Sequence, residues 1–71
     1  MNWYLSDVPW HTDPDQIRLV EVLEGYALLE VKEDDNSVSQ LVLHPGLFFG
    51  HHPRQEHRVV GGAVKLSVET P

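Results

Sequence analysis

The chain has 71 residues, no cysteine, and eleven Asp and Glu against five Lys and Arg, for a formal net charge of -6. Those values describe one small domain and exclude disulfides and thiolate metal sites. They also argue against DNA, RNA or an anionic membrane as partner, because binding to phosphates depends on Lys and Arg clusters that this chain lacks.

A domain of this size buries only about 60% of the surface its unfolded chain exposes. Some additional support is therefore expected, from a metal on nitrogen and oxygen ligands or from a partner subunit. No signal peptide or long apolar segment is visible, which points to the cytoplasm. No long segment keeps a helical period, and Gly and Pro punctuate the chain at short intervals. The expectation is an all-β fold of seven short antiparallel strands.

In chain order, Asn2 to Leu5 is an aromatic first strand, and Ser6 to Asp15, with Pro9 and Pro14, is a loop. Gln16 to Leu23 is a strand that turns at Glu24-Gly25, and Tyr26 to Lys32 returns from it. Glu33 to Ser37 has the polar composition of a hairpin loop. Val38 to Leu43 follows and stops at Pro45-Gly46, with His44 a turn residue. Leu47 to His52 stops at Pro53. His57 to Val60 is short, Gly61-Gly62 reads as a tight hairpin turn, and Ala63 to Glu69 closes the chain.

Alternation assigns faces. Val64, Leu66 and Val68 point inward, while Lys65, Ser67 and Glu69 point outward. Leu28-Leu29, Leu41-Val42-Leu43 and Leu47-Phe48-Phe49 are apolar on both faces. The second apolar face either packs on a second copy, making a homodimer, or packs under the Trp3-Tyr4 strand.

Two segments carry a family resemblance. Val22-Leu23-Glu24-Gly25 matches the close of the first cupin motif. Gly46 and His57 stand eleven positions apart, the spacing of the glycine and histidine of the second motif. Pro53 falls one place late, Arg54 replaces a glycine, and the final asparagine is absent. In the degenerate first motif His11 and Asp13 fall near the two histidines, and Arg18 falls at the ligand glutamate. The chain is most similar to a small cupin-like family associated with tellurite resistance, through His11, Val22 to Gly25, Pro53, His57-Arg58-Val59 and Val68-Glu69. The resemblance covers roughly residues 10 to 70. It implies a small cupin-like β-barrel (a double-stranded β-helix) that holds a metal or small ligand in its mouth.

Imidazole suits Zn, Fe, Ni and Cu, and carboxylates extend the choice to Mn. The candidate metal ligands are His57, His11 and one of His51 and His52, which as neighbours on a strand point to opposite faces. The bland alternative for His57 is a structural histidine bonded to a backbone carbonyl, and for His11 an exposed loop residue. Asp13 and Asp15 are oxygen donors in what is also ordinary turn chemistry. Glu56 reads as a solvated charge. Arg18 shares a face with Val20 and Val22; inside, it would bind an anion, and otherwise it would pair with Glu30.

Three functions compete. The reading we carry forward is a protein binding a divalent metal (Zn, Fe, Mn or Ni) at His57, His11 and one of His51 and His52, or a small anionic ligand at Arg18 and His57, in the barrel mouth. A small metal-dependent isomerase, lyase or dioxygenase would need an orienting partner for His57 and a protected cavity. A non-catalytic subunit would dimerise through Phe48, Phe49 and the first strand. Fold alone does not choose among them.

Overall fold

A computed structural model describes residues 1–12, 18–51 and 54–69. The described residues form five strands and no helix: β1 (Asn2–His11), β2 (Arg18–Lys32), β3 (Val38–Leu43), β4 (Phe48–His51) and β5 (His57–Glu69). Every pairing is antiparallel, in the order β1-β5-β2-β3, with β4 also on β2. The central strand is β2. One of its edges carries β5 along nearly its whole length; the other carries β4 at Arg18 to Glu21 and β3 at Ala27 to Lys32.

The expected seven strands become five because two expected turns do not turn. Glu24-Gly25 lies inside β2 and Gly61-Gly62 inside β5. The two glycine sites flank the same stretch of the β2–β5 ladder, where Gly25 pairs with Val64 and Tyr26 with Ala63. Register shifts fall between Val22 and Glu24 and between Tyr26 and Leu28. Gly25 has φ 88° and Gly61 φ 75°. Irregularities of this kind bend a strand without ending it. At the bend the two backbones nearly touch: a Cβ on Gly25 would fall on the Ala63 carbonyl oxygen, and one on Gly62 on the Tyr26 carbonyl oxygen.

The expected loop after Leu5 is also strand as far as His11. Pro9 is compatible with this because β1 is an edge strand, where a missing N–H costs no ladder bond. Asp7, at φ 51°, takes up the register shift between Ser6 and Val8. Asp13, Pro14 and Asp15 lie outside the described residues.

Two turns form as their composition predicts. Glu33 N–H donates to Ser37 O at 2.8 Å, Asn36 adopts φ 67°, and Asp35 accepts from Ser37 N–H at 3.0 Å. At His44-Pro45-Gly46-Leu47, Leu47 N–H donates to His44 O at 3.1 Å and Gly46 has φ 89°. Proline second and glycine third make this a type II turn. Gly46 N–H donates to Val22 O at 2.9 Å, and Val22 N–H to Leu47 O at 2.8 Å. The turn therefore fills the part of the β2 edge between β4 and β3.

One face of the sheet holds the core. Val20, Val22, Ala27, Leu29, Leu43, Val59, Val64, Leu66 and Val68 are buried, with Trp3, Leu5, Val8 and Phe49 packed against them. The expected inward set of the last strand is correct. All five strands line one cavity, so the sheet curls over this face. The second apolar face does not pack under the first strand: Tyr4, Val42 and Phe48 are all exposed on the outside.

Glu30 sits on that outer face, buried between its cross-strand partners Gln40 and Arg58. Gln40 Nε2 donates to Glu30 Oε2 at 2.9 Å and Arg58 Nε to Oε1 at 2.6 Å. Arg58 also lies over Trp10, 4.8 Å from the ring centre. The Arg18–Glu30 pair considered from sequence is thus replaced by Arg58–Glu30. The Gln40 bond, then the Arg58 bond, hold the Glu30 carboxyl below its ordinary 4.5, against the opposing effect of burial. A carboxyl lowered in the folded state contributes stability above its unfolded value and loses it as pH falls through the folded one. Urea unfolding measured from neutral pH downward is expected to show a stability loss that begins near pH 4.5. In Glu30→Gln that part of the loss should disappear; an unchanged acid limb would show that Glu30 does not contribute to it.

Candidate functional site

His11, the last residue of β1, and His57, the first of β5, are register partners. Strand alternation places His57 on the same inward face as Val59, and it is 5% exposed. The two imidazole centroids are 4.1 Å apart at an interplanar angle of 60°. Each ring is oriented by a carbonyl two residues earlier: His11 Nδ1 meets Pro9 O at 2.7 Å and His57 Nδ1 meets Gln55 O at 3.0 Å. A carbonyl only accepts, so each Nδ1 carries a proton and donates the bond. Histidine ligands in metalloproteins are commonly set up this way, with the second nitrogen fixed by a backbone carbonyl or carboxylate.

The pair lines a cavity of about 70 Å³ together with Arg18, Trp3, Phe49 and core aliphatics. That space suits an ion with one or two waters, or an anion of a few atoms; a water's share of liquid volume is about 30 Å³. Arg18 shares the face of Val20 and Val22, as alternation predicts, and that face, left open by the sequence, is the interior one, with the guanidinium 4.8 Å from the Trp3 ring centre. A second cavity of about 190 Å³ shares His57, Leu29 and Phe49 with the first, and adds Val31, Ser39, Leu41 and Gln55.

The other sequence candidates distribute as follows. His51 pairs with Arg18 through the backbone of β4. Its side chain lies outside the described residues, as does all of His52. His44 is an exposed turn residue. Glu56 faces solvent and pairs with Lys32 at 3.3 Å. Among the described residues no three His, Asp or Glu side chains gather to hold a metal.

Sequence reasoning missed three groups. The carbonyls of Pro9 and Gln55 orient the rings, and no side-chain pattern signals a carbonyl. Trp3 as the platform under Arg18 was open to detection, since Trp3 and Leu5 alternate inward along β1. No family model, curated protein or solved structure matches the chain. Among the described residues no helix is long and apolar enough to cross a membrane.

Proposed function

We propose that this chain binds a divalent metal ion through Nε2 of His57 and His11, at the open end of a small cupin-like cradle. The observation that carries the reading is the pair itself: two adjacent imidazoles, both with Nδ1 tied to backbone. The bonds fix the orientation of both rings, which lowers the cost of organising them as ligands through Nε2. The cupin-like barrel is the finer fold that goes with this proposal, supported by the inward His57 and its spacing from Gly46. Imidazole donors favour Zn, Fe or Ni, and Mn if a carboxylate joins them.

Arg18 supports a second element of the proposal. A guanidinium on the cavity wall, braced by Trp3, provides paired donors for a small oxyanion or carboxylate. An ion on the histidines and an anion at Arg18 would occupy the same small space with opposite charges.

The test is the metal content of untagged protein by elemental mass spectrometry, with titration of Zn, Mn and Ni by calorimetry. Near-stoichiometric metal is expected, with binding at least about tenfold weaker in His57→Ala and in His11→Ala, since removing a ligand costs no less than removing its orienting partner. Metal-free wild type that takes up none of these ions would end the metal reading. For the anion, Arg18→Met should abolish the rise in melting temperature that formate or tellurite produces in wild type. An equal rise in the variant would remove Arg18 from the site.

A further inference from the structure

The cavity beside Arg18 is walled mainly by hydrocarbon. Val20, Leu29, Leu43, Val59 and Leu66 line it, and apart from Trp3 its polar side chains are Arg18, His11 and His57. The β2–β5 ladder runs from Leu19 against Glu69 to Val31 against His57. Arg18 and His57 therefore stand at its two ends, and the bend at Gly25 and Gly61 brings both to one cavity. Arg18 is the fixed cation of that wall, since a guanidinium stays charged at every ordinary pH. Among the described residues it pairs with no carboxylate, and the Trp3 ring holds it in place. A charge beside so much hydrocarbon is costly unless an opposite charge meets it.

We propose that the ligand of Arg18 is a short-chain aliphatic monocarboxylate, its carboxylate on the guanidinium and its hydrocarbon tail in the cavity. This rests on the anion reading of Arg18 and does not depend on a metal. Charge selects a monoanion. One fixed cation matches one negative charge, and a second would enter unpaired, into a chain whose net charge is already -6. The wall selects a tail. A bare oxyanion turns oxygen in every direction and would strand some of it against Val20, Val59 and Leu66. A carboxylate with a tail puts its oxygens at one end, which suits a pocket of few polar groups and many apolar ones.

Volume sets the length of the tail. An apolar cavity of about 150 Å³ takes benzene. The cavity here, about 70 Å³, is near half that size. By that proportion it suits an acid of roughly two to four carbons. Phe49 lines both this cavity and its larger neighbour. Its ring is therefore the side chain that limits how far a tail extends.

NMR titration of metal-free protein at neutral pH and fixed ionic strength, with formate, acetate, propionate, butyrate and hexanoate, tests it. Affinity should rise about threefold to fourfold per added carbon from formate to propionate, and fall beyond butyrate. The propionate methyl should give intermolecular NOEs to the methyl groups of Val59 and Leu66. Malonate, which replaces that methyl by a second carboxylate, should bind at least about tenfold more weakly than propionate. Arg18→Met should weaken propionate binding at least about tenfold. Phe49→Leu, which stays apolar, should move the best acid to a longer chain. The series and the NOEs are measured on wild type, so they stand whether or not either variant folds. Formate bound as tightly as propionate, malonate bound as tightly as propionate, or a bound propionate whose methyl shows no NOE to the wall would overturn the inference and leave Arg18 an anion site. An optimum unmoved in folded Phe49→Leu would overturn the role of Phe49. Binding of no acid, or equal propionate binding in folded Arg18→Met, would remove the anion reading of Arg18 and this inference with it.

Discussion

Gly62→Ala and Gly25→Ala are each expected to remove a large part of the protein's stability. A Cβ at either site coincides with a carbonyl oxygen of the facing strand, so the backbone itself has to move. Overpacking of this kind costs about 1–3 kcal/mol where side chains can yield; here the obstacle is main chain, which yields less. Gly25 adds the cost of φ 88°, a conformation worth roughly 1–3 kcal/mol of strain to an L side chain. Against a total stability of roughly 4–10 kcal/mol for a chain of this length, either loss is severe. Gly61→Ala is the internal control. It shares the positive φ but would meet nothing within 4 Å, so only the conformational cost of about 1–2 kcal/mol applies. Urea midpoints for the three variants should rank Gly61→Ala well above the other two. Equal midpoints would mean that close approach of β2 and β5 is not what requires glycine.

Leu43→Ala should cost about 2–5 kcal/mol, the range for a fully buried leucine. Leu43 is 1% exposed at the point where β3 ends and the type II turn begins. It also lines the cavity that holds His57 and His11, so its removal enlarges the candidate site as it weakens the core. Leu41→Ala, two residues earlier and 37% exposed, should cost well under half as much in the monomer. Denaturant unfolding of both checks the ratio. Metal titration of Leu43→Ala above its folding threshold checks the second consequence, a weaker site with unchanged ligands. A Leu43→Ala protein that loses stability and keeps full affinity would show that the core wall does not position the histidines.

These two predictions mark where the sequence was readable and where it was not. The inward set Val64, Leu66 and Val68 followed from alternation, and so did Arg18 beside Val20 and Val22. The turns at Asp35 to Ser37 and at Pro45-Gly46 followed from local chemistry, because their residues bond within the turn itself. Strand count did not follow. Gly25 and Gly61-Gly62 look identical in sequence to hairpin turns. Only the facing strand distinguishes a turn from a bend, since the bend exists because two glycines flank the same stretch of one ladder. Pro9 misled for a related reason: it breaks a central strand but is harmless on an edge, and edge position is a property of the sheet.

The candidate site divides in the same way. His57 as an inward residue opening a strand was legible from Pro53 and the alternation after it. His11 was legible as a possible neighbour, but its position on the end of β1 depends on that strand continuing past Pro9. The Pro9 and Gln55 carbonyls that orient the two rings left no mark in the sequence.

What the sequence determined by itself was local: an all-β chain, its two tight turns, and the identity of the side chains facing inward from β2 and β5. These depend on a period of two residues and on φ preferences, both written in neighbouring positions. The tertiary structure decided everything that requires two distant segments to meet. It made five strands from seven, gave Glu30 to Arg58, laid Arg18 on Trp3, and brought His11 to His57. Each of those outcomes depends on register between strands, which is settled by which backbone rows can approach and which side chains can be buried together.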